Sequence, residues 1–122
     1  MKIYLAGGMY TNWREVIKLE LGSSCFFDPI ESGFSIPEYY TAYDLLAIRN
    51  CDILVGYLEK DNPSGIGLSA EIGYAKALNK LIILVDEKND KYTQFIRVCA
   101  DIICENLDDM IYALKRLWSL YT

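Results

Sequence analysis

The chain has 122 residues, of which 52% are hydrophobic and 24% charged, with a formal net charge of −5. This length suits a single domain over residues 1–122 with an apolar core, and the acidic balance argues against a nucleic acid polymer as partner. Histidine is absent, which excludes Ser-His and Cys-His catalysis and histidine-based metal sites. Acid–base chemistry must therefore come from carboxylates, Tyr or Lys, and we expect neither a metal nor a cofactor.

The four cysteines form no C-x-x-C pair and mostly lie in apolar runs, so we expect reduced, buried thiols. Met1 and Lys2 lead directly into a strand-like segment without the apolar region of a signal peptide. No stretch approaches the length of a membrane span. These features predict a soluble, cytoplasmic protein without membrane contact.

Strand and helix patterns alternate along the chain. Apolar runs predict strands over residues 2–6, 25–27, 52–58, 81–85 and 102–104, and helical periodicity predicts helices over 13–21, 37–50, 68–78, 92–99 and 107–120. Asn12 and Asn106 are expected N-caps, and Gly22 is expected to end the first helix. Such alternation predicts an α/β fold with a parallel sheet and helices on both faces.

The most informative stretch is residues 63–75, which read Pro-Ser-Gly-Ile-Gly-Leu-Ser-Ala-Glu-Ile-Gly-Tyr-Ala. Gly65 and Gly67 permit a tight turn and a close approach to a ligand, although the Walker and dinucleotide spacings are not met. Glu71 is expected in the first turn of the following helix, at the carboxyl edge of the sheet where ligands of open α/β folds bind. A glutamate there is either a nucleophile or base towards a sugar or phosphate, or a residue that favours the helix dipole.

Several segments together resemble the nucleoside 2-deoxyribosyltransferase family, including its relatives that hydrolyse 2′-deoxynucleoside 5′-phosphates. The segments that carry the resemblance, which covers nearly the whole chain, are Lys2–Gly7, Trp13-Arg14, Asp44-x-x-x-Ile48, Cys51–Val55, Gly67–Ala75 and Lys80–Leu84. The resemblance implies a flavodoxin-like, Rossmann-like three-layer fold with a five-stranded parallel sheet in the order 2-1-3-4-5. It also implies an active site at the carboxyl ends of the strands.

The resemblance assigns catalytic roles to three residues. Glu71 matches the glutamate that attacks C1′ of a deoxyribose and forms a covalent glycosyl-enzyme, after which a second base or water completes a retaining double displacement. Asp44 matches an aspartate that contacts the base and helps to protonate the leaving nitrogen, and Tyr4 matches a tyrosine that orients the nucleophilic carboxylate. Read from the residues alone, Asp44 could equally be a solvated helix residue and Tyr4 an ordinary strand aromatic.

Substrate-binding residues are also implied. Arg14 lies near the arginine that grips the 5′-phosphate in the nucleotide-cleaving branch. That branch usually has Ser six residues before the glutamate and the transferases an acid, whereas Gly65 stands here, with Ser64 one residue further back. Gln94 falls where a neighbouring subunit donates an amide to the sugar. The expected set is Gly7, Gly8, Met9, Arg14, Ser64, Gly65, Gly67, Ser69 and Gln94.

Aromatic residues gather in the two loops that flank the expected site. Tyr10, Trp13, Tyr39 and Tyr40 could stack on a base or pack a homo-oligomer interface. Gln94 or the carboxyl-terminal Tyr121 of a second chain would then complete the pocket.

Three functions fit these features. The first is an enzyme that cleaves the N-glycosidic bond of a nucleoside or nucleoside 5′-monophosphate, by hydrolysis or base transfer. The second is a non-catalytic pocket protein that binds or sequesters a nucleotide or a nucleotide-derived signal. The third is a structural interaction domain, which leaves the glycine loop and Glu71 without a role.

Overall fold

The computed structural model describes residues 1–22 and 25–120, and Tyr121 lies outside the described residues. One sheet of five parallel strands forms the centre, in the order β2-β1-β3-β4-β5. The strands are β1 (Ile3–Gly7), β2 (Phe26–Phe27), β3 (Ile53–Leu58), β4 (Leu81–Asp86) and β5 (Ile102–Cys104). The predicted flavodoxin-like strand order is confirmed.

Among the described residues, five helices cover both faces of the sheet; the first four connect successive strands and the fifth follows β5. They are α1 (Trp13–Leu21), α2 (Pro37–Asn50), α3 (Ile66–Ala77), α4 (Gln94–Cys99) and α5 (Leu107–Trp118), with a 3₁₀ turn at Pro29–Ser32. The predicted bounds of α1 and α2 agree with the structure, whereas α3 begins two residues before its predicted start. Within the described ranges, no helix combines the length and the hydropathy of a membrane span.

The predicted helix caps have different outcomes. Asn106 caps α5, because its side chain accepts a 2.8 Å hydrogen bond from the backbone N–H of Asp109. Asn12 makes no side-chain cap bond, so that prediction is wrong: its backbone (φ −92°, ψ 25°) is outside the extended region in which a capping side chain reaches the helix N–H groups. Gly22 ends α1 with a positive φ of 86°, as expected.

Alternate residues of the inner strands face two separate apolar cores. Tyr4, Leu54 and Leu84 face the core under α2, α3 and α4. Ile3, Val55 and Val85 face the core under α1 and α5, which includes Met110 and Leu114. The parallel strands are buried on both faces, as helix-covered parallel sheets require.

The two edges of the sheet are much shorter than its centre. β2 and β5 contribute two and three residues, whereas β1, β3 and β4 contribute five or six. The four cysteines are free thiols, and burial raises the pKa of Cys51 to about 11. Three of the four are buried as predicted, and Cys99 is half-buried.

Candidate active site

The crevice between the carboxyl ends of β1 and β3 is the point at which the strand order reverses, the usual ligand site of an open α/β sheet. The backbone is tightest at Gly7, where a Cβ atom would lie 2.5 Å from the carbonyl oxygen of Tyr57. Only glycine fits there, because the clashing atom belongs to the backbone of a neighbouring strand. The chain then turns through Gly8 and Met9 towards α1.

Glu71 lies in the second turn of α3. Gly65, at φ +74°, turns the chain into the helix, so that Ile66 is its first residue and Glu71 its sixth. The expectation that Glu71 lies in the first turn is therefore wrong. The dipole effect is confined to the first turn, so it does not account for a glutamate at this position.

Tyr4 and Glu71 form a hydrogen-bonded pair across the sheet face. The Tyr4 side chain is fully buried, and its Oη donates to Oε2 of Glu71. Burial raises the pKa of Glu71 to about 7, the bond from Tyr4 works against this rise, and the charge of Asp44 adds to it. Burial, together with the charge of Glu71, also raises the pKa of Tyr4. The tyrosine therefore stays a donor while Glu71 titrates near neutrality.

Asp44 reaches the same place from α2. Its side chain is half-buried, and its Oδ1 is buried without a hydrogen-bond partner among the described residues. Burial raises the pKa of Asp44 to about 6. Asp44 also lines a cleft of about 470 Å³ whose other walls include Met9, Phe34 and Tyr40. The structure thus brings two acids with raised pKa values together beside an aromatic-walled cleft.

Arg14 is not exposed towards this cleft. Its guanidinium is 2% exposed and donates to the carbonyl oxygens of Gly8 (2.7 Å), Gly7 (3.0 Å) and Leu5 (3.2 Å). Its Nε lies 3.3 Å from Oδ1 of Asp28. This placement corrects the expectation that Arg14 grips a phosphate, because the guanidinium is committed to the backbone and to a buried carboxylate.

Other expected substrate-binding residues gather in a second cleft, of about 330 Å³, between the starts of α3 and α4. Ser64, Gly65 and Ser69 line it together with Lys88. The Ser69 hydroxyl donates to the carbonyl of Gly65 at 2.9 Å. These residues share one surface, and none of their side chains hydrogen-bonds to Tyr4 or Glu71.

The remaining expected residues have separate surroundings. Gly67 has open space where a Cβ would lie, so no close approach requires glycine there. Gln94 is exposed as the first residue of α4, next to the second cleft. Trp13 is buried with its ring edge-on to Tyr57 and its Nε1 bonded to Gly8, which excludes it as a stacking surface, whereas Tyr10 and Tyr39 are exposed.

Two buried acids near the crevice were not singled out from the sequence. Asp28 follows β2 and binds both Arg14 and Lys18, the latter at 2.6 Å. Glu59, the first residue after β3, is 7% exposed, and its Oε1 has no partner among the described residues. An acid directly after an apolar strand is the sequence signal that points to such positions.

Together these residues define a class of site in a parallel α/β sheet: a half-buried carboxylate that a tyrosine orients, with a second carboxylic acid beside it. Such a pair can provide a nucleophile and a proton donor at neutral pH. No family model matches the chain, and comparison with curated protein sequences gave no match either.

Solved structures do match. A 2-deoxyribosyltransferase from Bacillus psychrosaccharolyticus superposes with a TM-score of 0.73 at 24% identity, covering 91% of this chain and 90% of that one. A CMP N-glycosidase from Clostridium botulinum gives 0.67 at 21% identity, with coverages of 94% and 98%. A conserved protein from Enterococcus faecalis gives 0.70 at 16% identity, with coverages of 95% and 98%. At these identities the likeness establishes a shared fold over nearly the whole chain, which is the fold that the resemblance implies.

Proposed function

We propose that this protein is an enzyme of the nucleoside 2-deoxyribosyltransferase type, which cleaves the N-glycosidic bond of a nucleoside or nucleoside 5′-monophosphate. The observation that carries the proposal is the contact of Tyr4 with Glu71 beside Asp44. Two solved structures with the same fold are a 2-deoxyribosyltransferase and a CMP N-glycosidase, which supports this class of reaction.

In the proposed first step, an ionised Oε atom of Glu71 attacks C1′ of the sugar. A C1′–O ester bond forms, the C1′–N bond breaks, and its electron pair leaves with the base. Asp44 donates its proton to the leaving nitrogen, so that a neutral base departs. The Tyr4 hydroxyl holds the half-buried carboxylate and stabilises its charge, which favours the ionised form that attacks.

In the second step, water or an acceptor base attacks C1′ from the face that the first base left. Asp44 takes the proton of the incoming nucleophile, the ester bond breaks, and Glu71 regains its carboxylate. Two inversions give net retention at C1′, as in retaining glycosidases. Water yields a free sugar product and an acceptor base yields a new nucleoside.

A product assay tests this proposal. The protein is incubated with nucleosides and their 5′-monophosphates, with and without an acceptor base, and the products are separated chromatographically. Free base without acceptor identifies a hydrolase, and a new nucleoside with acceptor identifies a transferase. Tight stoichiometric binding without any product would favour the alternative, a pocket protein that sequesters a nucleotide or nucleotide-derived signal.

We also propose that the chain self-associates, so that a second copy contributes to the pocket. Large apolar side chains are exposed on two helices that flank the site: Tyr39 and Leu46 on α2, and Phe95 and Val98 on α4. Gln94 begins α4 and is therefore well placed to reach a neighbour. Light scattering tests this, and a strict monomer at assay concentration would contradict it.

A further inference from the structure

The buried guanidinium of Arg14, on α1, links the end of β1, the loop that follows it and the residue after β2. It donates to the carbonyls of Leu5, Gly7 and Gly8, where β1 ends and the loop to α1 begins. It also pairs with Asp28, which follows β2. The Gly8 carbonyl additionally accepts a bond from Trp13.

We propose that Arg14 is a positioning residue: its guanidinium fixes the Gly7–Gly8 backbone at the end of β1 and places a positive charge beside the Tyr4–Glu71 pair. The expected change in KM rests on the proposed function, whereas the expected change in the pKa of Glu71 does not.

The fixed fork of a guanidinium is needed for the first of these tasks. Three carbonyl oxygens converge on the two terminal nitrogens of Arg14, while Nε faces Asp28. A lysine ammonium supplies the same charge from one nitrogen, so it cannot reproduce this set of bonds. Lysine therefore separates the geometric task from the electrostatic one.

The charged groups around Arg14 and Glu71 support the second task. Arg14 faces Asp28, Glu71, Tyr4 and Glu59, and Glu71 faces Tyr4, Asp44 and Arg14. The positive charge of Arg14 works against the rise in the pKa of Glu71, of Asp44 and of Tyr4. A buried cation acts strongly because few water molecules screen it.

Lys18 provides a matched control on the same helix. It also binds Asp28, at 2.6 Å, and Glu31, at 2.7 Å, but it makes no bond to the Gly7–Gly8 backbone. Because Lys18 remains, Arg14→Met does not leave Asp28 without a cation. Lys18→Met removes one buried charge from the same cluster and leaves the loop contacts in place.

The first test does not depend on catalysis. The NMR chemical shift of the Glu71 carboxyl carbon is measured as a function of pH, which gives a titration midpoint, and the signal is assigned by its loss in Glu71→Gln. In Arg14→Met we expect the midpoint to move upward by about one pH unit, because an opposite charge nearby lowers a carboxyl pKa by about this much. In Lys18→Met and in Arg14→Lys we expect it to stay near the wild-type value. An unchanged midpoint in Arg14→Met, or an equal shift in Lys18→Met, would overturn the electrostatic part.

The geometric part is tested with Arg14→Lys, which keeps the charge; if Arg14→Met does not fold, Arg14→Gln replaces it in the electrostatic test. We expect the backbone amide signals of Gly7, Gly8 and Met9 to move and, in the cleavage assay, KM to rise about fivefold or more with little change in the pH midpoint. Wild-type amide signals and KM in this variant would overturn it. If the wild type cleaves no nucleoside but the NMR results are as expected, the proposed function fails and the role of Arg14 stands.

Discussion

Both faces of the sheet carry an apolar core, but their charged side chains differ in pairing and in pKa. On the α1/α5 side, the buried charges of Arg14, Lys18 and Asp28 are paired with one another. On the α2/α3 side, Glu71 and Asp44 have raised pKa values, and Asp44 has an oxygen with no partner among the described residues. The charges of the first group partly neutralise one another, whereas acids with raised pKa values in a crevice are suited to reaction. The comparison therefore places the reacting acids on one face, while Arg14 on the other face supports them through its charge.

The largest effect should come from Glu71→Gln. Turnover should fall by about 10³-fold or more, because an amide neither attacks C1′ nor stabilises a developing positive charge. The fold should persist, since the replacement is nearly isosteric. Measured initial rates with the best substrate, alongside a binding titration, check this, and near-normal turnover would contradict the nucleophile assignment.

The same variant should also change how the free energy of unfolding depends on pH. The pKa of Glu71 is raised from its ordinary value of 4.5 to about 7 in the folded protein. The folded state therefore binds more protons than the unfolded state in this range, and the free energy of unfolding should fall as pH rises from about 5 to 7. Glu71→Gln should flatten that dependence in urea titrations.

On the opposite face, Leu114→Ala should lower stability without changing the chemistry. Leu114 is fully buried against β-strand side chains of the α1/α5 core, so its truncation should cost about 2–5 kcal/mol of unfolding free energy. Turnover per folded molecule should stay at the wild-type level below the melting temperature. A loss of kcat comparable to that of Glu71→Gln would mean that the two faces are not separable.

Asp44→Asn should have a smaller effect than Glu71→Gln. Loss of a general acid typically costs about 10²-fold or more, and the loss should be smallest for bases that leave well without protonation. Rates for a series of substrates with different leaving bases check this. An equal loss across the series would contradict the role of proton donor.

Of the three active-site variants, Tyr4→Phe should have the mildest effect on turnover, and the effect should be visible mainly in the pH profile. The wild-type rate should pass through a maximum between pH 6 and 7, where the Glu71–Asp44 pair holds one proton; the reactive form, with Glu71 ionised and Asp44 protonated, is the less populated of the two singly protonated forms. The bond from Tyr4 works against the rise in the Glu71 pKa, so its loss should move the ascending limb to higher pH and lower the rate about tenfold on that limb. A rate loss that is independent of pH would contradict the role of Tyr4 in lowering the pKa of Glu71 and would leave only an orienting role.

The strand order and most helix bounds could be predicted because they depend on local patterns. The apolar runs and the prolines and glycines between them are visible in the sequence, and right-handed crossovers leave few topologies. The start of α3 was missed because Ile66 and Gly67 continue the helix after the left-handed Gly65, which a glycine-rich sequence does not indicate.

The surroundings of the site residues could be predicted only in part. The contact between Tyr4 and Glu71 followed from the resemblance, not from spacing, since 67 positions separate the two residues. The burial of Arg14 depends on Asp28 and on carbonyls at the end of β1, which converge only in the folded chain. Sequence reasoning therefore found an arginine near the site but assigned it to a ligand instead of to the backbone.

The short outer strands of the sheet also determine how this molecule can meet others. Two and three residues, at β2 and β5, offer too few free backbone groups to template a further strand. Addition of strands from other chains, the route to fibrillar aggregates, is thereby blocked at both ends of the sheet. Association through side chains, such as those exposed on α2 and α4, is favoured instead.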